Sequence, residues 1–375
     1  MEVRLLGSMG EIAARDWDRL VPVDQPFLGH AFLATLETSG SAATETGWQP
    51  LHLVLQNGAA PVAAAPLYAK SHSYGEYVFD HGWAEGYRRA GGSYYPKLQV
   101  AVPFTPVPGP RLLAADASSR ERLIEALLRT TDRLGVSSLH VTFCTESEAE
   151  TLAAAGLLRR RGIQFHWRNR GYASFDDFLA TLRSSKRKMI RRERREVADA
   201  GIEIEVLHGP SLTPDALAAF HPFYLGTVDR RWGNAYLSRD FFRLLGERLA
   251  DRVVLVVARE RGRMVGAALN LLSGDTLYGR LWGSLDEFRF LHFEACYYQA
   301  IEFAIRHGLA RVEAGAQGAH KLQRGYEPVF TWSAHHIRDP GFRSAVARFL
   351  AGEDAQLRRH MDELRELTPF HRSEG

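Results

Sequence analysis

The most regular pattern of apolar and polar positions lies between residues 252 and 336. Two apolar runs joined by a charged turn predict a β-hairpin there, and a third apolar run extends it to three strands. Apolar side chains then recur at helical spacing up to Gly308, which marks a helix end because glycine readily adopts positive φ. The predicted elements are strands at 253–258, 264–272 and 276–282, a helix at 293–307, a strand at 310–315, a short helix after residue 317 and a strand at 330–337.

The same order of elements occurs earlier in the chain. A helix is predicted to start at Ser118, which has Glu121 at capping-box spacing, and to stop at Gly135. Gly135 and Gly308 lie 173 residues apart (308 minus 135), and we interpret the two series as an internal duplication with a long aromatic and glycine-rich loop inserted in the first copy. The alternative is two unrelated α/β domains with similar patterns. The other predicted elements of the first copy are a hairpin at 51–55 and 62–68, a strand at 137–143, a short helix at 148–155 and a strand at 163–168.

These patterns predict an α/β (α+β) fold in which mixed sheets are flanked by helices. The predicted segments are an N-terminal domain with the loop insertion at 1–170, a basic helical connector at 171–201, a C-terminal domain at 202–340, and a C-terminal helix and tail at 341–375.

Composition limits the possible classes of protein but does not identify a function. The chain has 375 residues, enough for two domains, and its formal charge is only +3, so attraction to polyanions depends on local clusters of basic residues. Cys144 and Cys296 lie far apart in apolar runs, which favours buried thiols over a disulfide. No apolar stretch is long enough to span a membrane, and we therefore expect a cytoplasmic protein.

The predicted connector contains the densest cluster of charge. Residues 183–196 carry eight cations and two anions, and a helix would place like charges four residues apart, where they repel each other. Apolar side chains such as Ile190 and Val197 give this helix an anchoring side, which favours an anion-binding surface over a merely solvated face. The candidate donor-binding cations are Lys186, Arg187, Lys188, Arg191, Arg194 and Arg195.

Several longer blocks of sequence resemble a known family. The chain is similar to the FemAB-like predicted N-acyltransferases, often labelled peptidoglycan biosynthesis/recognition proteins, and its basic segment resembles the one that precedes the second domain of Fem-type peptidoglycan aminoacyltransferases. The resemblance implies two tandem GNAT-like domains and N-acyl transfer. The blocks that carry it are FTPVPGPR at 104–111, QFHW at 164–167, LHFEACYYQ at 291–299 and GAQGAHKLQRGYEPV at 315–329.

The turn before the 293–307 helix bears on the acyl donor. A CoA-dependent GNAT domain holds the pyrophosphate of CoA on a glycine-rich turn at this place. Residues 283–293 contain one glycine, Gly283, and two acidic residues, Asp286 and Glu287. This composition argues against ordinary CoA binding and suits an aminoacyl-tRNA held by the basic helix, with Gln317 as a further donor contact. An acyl-CoA or a carrier protein remains the alternative donor.

Amide formation requires a base for the amine proton and a donor for the developing oxyanion. Glu313 is the leading candidate base because an acid within an apolar strand needs a partner. His320 or Lys321 is the leading electrophilic partner, and Glu294 and His292 at the helix entry are further catalytic candidates, although Glu294 equally suits stabilisation of the helix dipole. The candidate acceptor-binding residues, for which core packing is the alternative role, are Tyr94, Tyr95, Phe104, Trp232 and Trp282.

We therefore predict an N-acyltransferase that joins an aminoacyl group from aminoacyl-tRNA to an acceptor amine, either a small molecule or a peptidoglycan precursor. No tightly bound cofactor and no metal site are expected. One alternative is an amide synthase that uses acyl-CoA or a carrier protein, and another is a non-catalytic module that binds RNA or cell-wall precursors. The oligomeric state is left open.

Overall fold

The computed structural model describes residues 1–22, 24–58, 60–230, 235–315 and 318–371. The chain forms two compact units, the first from residues 1–163 and 330–360, the second from residues 164–329 and 361–375. Within the described ranges, no helix combines the length and apolar character needed to cross a membrane.

The strands are β1 Glu2–Leu6, β2 Trp48–Pro50, β3 His52–Asn57, β4 Ala60–Ala65, β5 Leu67–Lys70, β6 Lys97–Val100, β7 Leu113–Ala114, β8 Ser138–Cys144, β9 Leu158–Arg168, β10 Ile202–His208, β11 Val253–Glu260, β12 Arg263–Ser273, β13 Thr276–Ser284, β14 Arg311–Glu313 and β15 Glu327–Ile337. The helices are α1 Ala14–Asp18, α2 His30–Thr38, α3 His81–Arg89, α4 Ala117–Leu134, α5 Glu146–Ala154, α6 Phe175–Ala180, α7 Ser184–Asp199, α8 Pro214–Ala218, α9 His221–Arg230, α10 Arg239–Leu249, α11 Leu291–Phe293, α12 Gln299–Arg306 and α13 Pro340–Glu366. A π-helical turn, Glu294–Tyr298, joins α11 to α12, and a 3₁₀ helix, Ala319–Arg324, lies between β14 and β15.

The first unit contains an antiparallel sheet and a mixed sheet. One has the order β1-β3-β4-β7, and the other runs β2-β5-β6-β8 and ends on the part of β15 that pairs with β8 through residues 332–337. Helix α4 packs its apolar face on this unit, where Leu123 and Leu127 join Leu139 and Val141 of β8 in one core. The predicted hairpin of the first copy is confirmed as the antiparallel pair β3–β4.

The second unit contains one sheet of order β10-β11-β12-β13-β14-β9, in which β9 contributes residues 166–168. The predicted hairpin of this copy is confirmed as β11–β12, and β13 continues it as predicted. Strands β13 and β14 run parallel, and the pairing covers residues 276–278 of the nine-residue β13. The helix between them buries Ala300, Ile301 and Ala304.

Both units repeat one feature that the duplication predicts: a helix that leads into the second strand of a parallel pair, β6–β8 in the first unit and β13–β14 in the second. Gly135 and Gly308 end these helices with φ of 66° and 65°. Strands β8 and β14 each begin three residues later, so His140 in the first unit occupies the position of Glu313 in the second.

Two details differ from the sequence predictions. Helix α4 begins at Ala117 rather than Ser118, because the Asp116 side chain caps it by accepting a hydrogen bond from the Ser119 N–H. The compact units also divide the chain differently from the predicted segments, since the pairing of β15 with β8 places residues 330–360 in the first unit.

Candidate functional site

The basic segment forms helix α7 in the second unit. Its buried residues are Ile190, Glu193 and Val197, which recur at the three- and four-residue spacing of one helix face. The cations lie mainly on the other faces: Lys188, Arg191, Arg192 and Arg195 are exposed, whereas Lys186 and Arg187 are half-buried. Arg191 is 2.8 Å from Asp176 and Arg192 is 3.6 Å from Glu196, so part of the charge is neutralised within the protein.

Arg194 differs from the other candidate donor contacts because it points toward the protein. Its guanidinium lies 3.1 Å from a Glu294 oxygen and 2.8 Å from a Glu302 oxygen. Glu294 is buried and also accepts a 2.7 Å hydrogen bond from Gln299. Burial raises the pKa of Glu294, against the opposing effect of Arg194. These contacts give Glu294 an ion pair with the basic helix, which is neither of the two roles considered from the sequence, catalysis and stabilisation of the helix dipole.

Glu313 ends β14 as a buried carboxylate with only 5% of its surface exposed. Its Oε1 lies 3.7 Å from His166 Nδ1 and 3.3 Å from Arg311 Nε, and the Arg311 contact lacks hydrogen-bond geometry. Its Oε2 has no hydrogen-bond partner among the described residues. Burial raises the pKa of Glu313 to about 7, with Arg311 opposing the shift. Such a carboxyl exchanges a proton near neutral pH.

His166 does not neutralise Glu313. Burial, together with the positive charges of Arg311 and Lys321, lowers the pKa of His166 to about 3, so the imidazole is uncharged. Nothing in the periodicity of β9 identified His166 as a site residue, although it lies within the QFHW block. The pairing of His166 with Glu313 across β9 and β14 brings the two side chains together.

Lys321 and His320 lie in the 3₁₀ helix that follows β14. Lys321 is 1% exposed, donates a 2.9 Å hydrogen bond to the Gly315 carbonyl, and has its pKa lowered to about 8 by burial. His320 is exposed, and its Nε2 lies 2.9 Å from the Tyr297 hydroxyl oxygen. Partial desolvation of the ring and the nearby charge of Arg324 lower the pKa of His320.

A cavity of 490 Å³ lies beside the end of β13 and the start of α11. His292 on its wall is 5.7 Å from the Trp282 ring and 6.4 Å from the His320 ring, measured between ring centroids. His292 therefore lies between the cavity wall at Trp282 and the ring of His320. The lining residues are Thr227, Trp282, Ser284, Asp286, Glu287, Phe288, Arg289 and His292.

Gly283, the single glycine of this turn, has a packing role. A Cβ at this position would lie 2.2 Å from the backbone carbonyl of Phe223, so glycine allows α9 to approach β13 closely. Asp286, Glu287 and Arg289 on the turn are exposed at the cavity. The turn thus presents carboxylates where a pyrophosphate-binding turn presents glycine N–H groups.

The remaining predicted donor and acceptor contacts lie in the first unit or outside the described residues. Tyr94 and Phe104 are buried in the first unit, and Tyr95 is half-buried there. The Tyr94 hydroxyl donates a 2.7 Å hydrogen bond to Asp80. Trp232 and Gln317 lie outside the described residues. Within the described ranges, no group of three or more His, Cys, Asp and Glu side chains is arranged to hold a metal ion.

Comparisons with solved structures show the same fold at low sequence identity. FemX matches with a TM-score of 0.54 and 12% identity over 92% of this chain and 100% of that chain. The C-terminal domain of a putative lysylphosphatidylglycerol synthetase from Agrobacterium fabrum has a TM-score of 0.57 and 11% identity over 92% and 96% of the two chains. The L-PGS of Bacillus licheniformis has a TM-score of 0.52 and 12% identity over 84% and 95%. No curated protein matches the sequence.

The family comparison covers almost the whole chain. The FemAB-like family, described as peptidoglycan biosynthesis/recognition, matches residues 8–372. The predicted fold of mixed sheets flanked by helices is confirmed, and FemX shares it. The chain belongs to the FemAB-like family.

Proposed function

We propose that this protein forms an amide bond by transferring an aminoacyl group from an aminoacyl-tRNA to an acceptor amine. The observation that carries the proposal is Glu313, a buried carboxylate whose Oε2 has no hydrogen-bond partner among the described residues; its pKa, raised to about 7 by burial, agrees with a role as base. It lies in the same compact unit as the basic helix α7 and the 490 Å³ cavity.

In the proposed reaction, the neutral amine attacks the ester carbonyl carbon of the donor. A C–N bond forms while the bond from that carbon to the ribose oxygen breaks. Glu313 accepts the proton that the amine loses, and a proton restores the ribose oxygen to a hydroxyl, so the net change is amine plus ester to amide plus alcohol. In this proposal the ammonium of Lys321, or the imidazole of His320, stabilises the negative charge that develops on the carbonyl oxygen.

The donor would be held through its phosphates by the exposed side of α7. Lys188, Arg191 and Arg195 are exposed and follow one another at three- and four-residue spacing, or one turn apart. Binding to phosphates by such cations releases counterions and weakens as salt concentration rises. Because an aminoacyl-tRNA is made in the cytoplasm, the proposal also places the reaction there.

The acceptor would enter the cavity beside α11. Its wall combines the ring of Trp282 with the carboxylates of Asp286 and Glu287, a combination that suits a molecule carrying an amine. Membership of a family described as peptidoglycan biosynthesis/recognition supports a peptidoglycan precursor as the acceptor, with a small-molecule amine as the second choice.

The test is transfer of labelled amino acid from a mixture of charged tRNAs, with binding measured at two salt concentrations. A variant with Lys188→Glu, Arg191→Glu and Arg195→Glu should lose salt-sensitive binding. A control with Arg243→Glu, Arg248→Glu and Arg263→Glu, which reverses three exposed charges elsewhere in the same unit, should retain it.

The outcomes separate the possible donors. Equal binding by both triple variants would refute the role of α7. Transfer from acyl-CoA or an acylated carrier protein, without transfer from charged tRNA, would refute the tRNA donor. The protein would then be an amide synthase that uses the other donor. Binding of RNA or precursor without any transfer by wild type would show a non-catalytic module.

A further inference from the structure

A buried hydrogen-bond cluster lies beneath the basic helix. It consists of Glu193 from α7, Tyr298 from the π-helical turn and Arg324 from the end of the 3₁₀ helix. Glu193 is 3% exposed and Arg324 is 4% exposed, so the ion pair between them is shielded from solvent. We refer to these three residues as the Arg324 cluster.

Each nitrogen of the Arg324 guanidinium has a partner. Nη2 donates to both Glu193 oxygens at 2.9 Å, and Nε donates to the Tyr298 hydroxyl oxygen at 2.9 Å. Nη1 donates to the His320 carbonyl at 3.0 Å. The Tyr298 hydroxyl donates to Glu193, and the guanidinium stacks on Phe293 with its central carbon 3.5 Å from the ring centroid.

We propose that Arg324 is a positioning residue that ties the donor-binding helix to the segment carrying His320 and Lys321. Its hydrogen bond to the His320 carbonyl holds the 3₁₀ helix directly, while the bonds from its Nη2 to both Glu193 oxygens hold that helix to α7. A planar guanidinium makes these bonds in fixed directions, which a lysine ammonium does not reproduce. The inference rests on the proposed function where it concerns the transfer reaction.

A second ion pair links the same helix to the residues before α12. Arg194, next to Glu193, binds Glu294 and Glu302, and therefore connects α7 to the turn that carries Tyr298. Lys186 adds a weaker contact of 3.4 Å to Gln323, beside Arg324. The inner side of α7 thus contacts both the turn that carries Tyr298 and the 3₁₀ helix that carries His320 and Lys321, while Lys188 and Arg195 are exposed on its outer side.

The cluster has the features of a positioning device rather than a source of stability. A buried ion pair adds little stability relative to well-packed apolar residues, because both charges lose their hydration. The directional hydrogen bond from Arg324 instead holds the His320 carbonyl, which belongs to the peptide unit that joins His320 to Lys321. A displacement of about 1 Å at a catalytic group can lower a reaction rate about 100-fold.

The experiment compares Arg324→Lys, Arg324→Ala and Glu193→Gln with wild type. We expect kcat to fall about 100-fold, with the Kd for charged tRNA changed less than about threefold. Free guanidinium at millimolar concentration should restore part of the activity of Arg324→Ala but none of the activity of Glu313→Gln. The matched control is Arg243→Lys, which alters an exposed arginine 2.6 Å from Glu247 and should leave kcat unchanged.

Hydrogen exchange provides a test that requires no donor. Amides of residues 319–326 should exchange faster in Arg324→Lys and Glu193→Gln, whereas exchange in strands β11 and β12 should not change. Unchanged exchange at 319–326 would overturn the positioning role even if transfer from tRNA is confirmed. Faster exchange would support it even if wild type uses another donor. If Arg324→Ala does not fold, the two conservative variants decide the question.

Discussion

Replacing Glu313 by glutamine should make the protein more stable at alkaline pH while removing transfer activity. Burial raises the pKa of this carboxyl from 4.5 to about 7. Because the folded-state pKa lies above the unfolded value, stability due to the bound proton is present at low pH and is lost as pH rises through about 7. With a pKa shift of this size, ionisation of Glu313 lowers the free energy of unfolding by about 3 kcal/mol at pH 8.5. About 1 kcal/mol of that loss is already present at pH 5.

The assay is urea unfolding of wild type and Glu313→Gln at both pH values. Loss or gain of hydrogen bonds by the amide does not depend on pH, so the change between the two conditions isolates the charge. We compare the free energy of unfolding of the variant with that of wild type at each pH. The difference should favour the variant by about 2 kcal/mol more at pH 8.5 than at pH 5. The control Glu247→Gln, at an exposed position beside Arg243, should show no such gain. An equal effect of Glu313→Gln at both pH values would refute the view that burial raises the pKa of Glu313.

Two further predictions concern buried charges. The transfer rate should rise as pH passes about 7, where Glu313 loses its proton, and fall above about 8, where Lys321 loses its charge. If Glu313→Gln retains activity and its rate still rises near pH 7, another group is the base. In the first unit, Lys97→Met should lower the free energy of unfolding by about 3–5 kcal/mol in urea titrations, because Lys97 pairs with the buried carboxylates of Glu76 and Asp80. A loss below about 1 kcal/mol would show that both carboxyls find other partners.

The local elements were predictable because short-range physics determines them. Apolar runs separated by turn residues identified the hairpins β3–β4 and β11–β12, and Gly135 and Gly308 identified the ends of two helices. The repeated order of these elements led us to predict a duplication, and each unit contains a helix that leads into a parallel strand pair. The long sequence blocks indicated the family.

The orientation of the basic helix was decided by tertiary packing. In the sequence, Arg194 and Arg195 are adjacent and equivalent, and Glu193 reads as a neutralising surface charge. In the fold, Glu193 is buried against Arg324, Arg194 points to Glu294, and Arg195 is exposed. Charge pattern alone does not distinguish these faces, because the partners Glu294 and Arg324 come from distant parts of the chain.

The state of the candidate base was likewise decided by the fold. The sequence determined that Glu313 lies in a short apolar strand, but its pKa depends on the dielectric surroundings and the charges that other strands bring to it. His166 lies 147 residues earlier (313 minus 166) and reaches Glu313 only through the pairing of β9 with β14. Sequence therefore specified which groups are present, whereas burial and long-range strand pairing determined the surroundings that raise the pKa of Glu313.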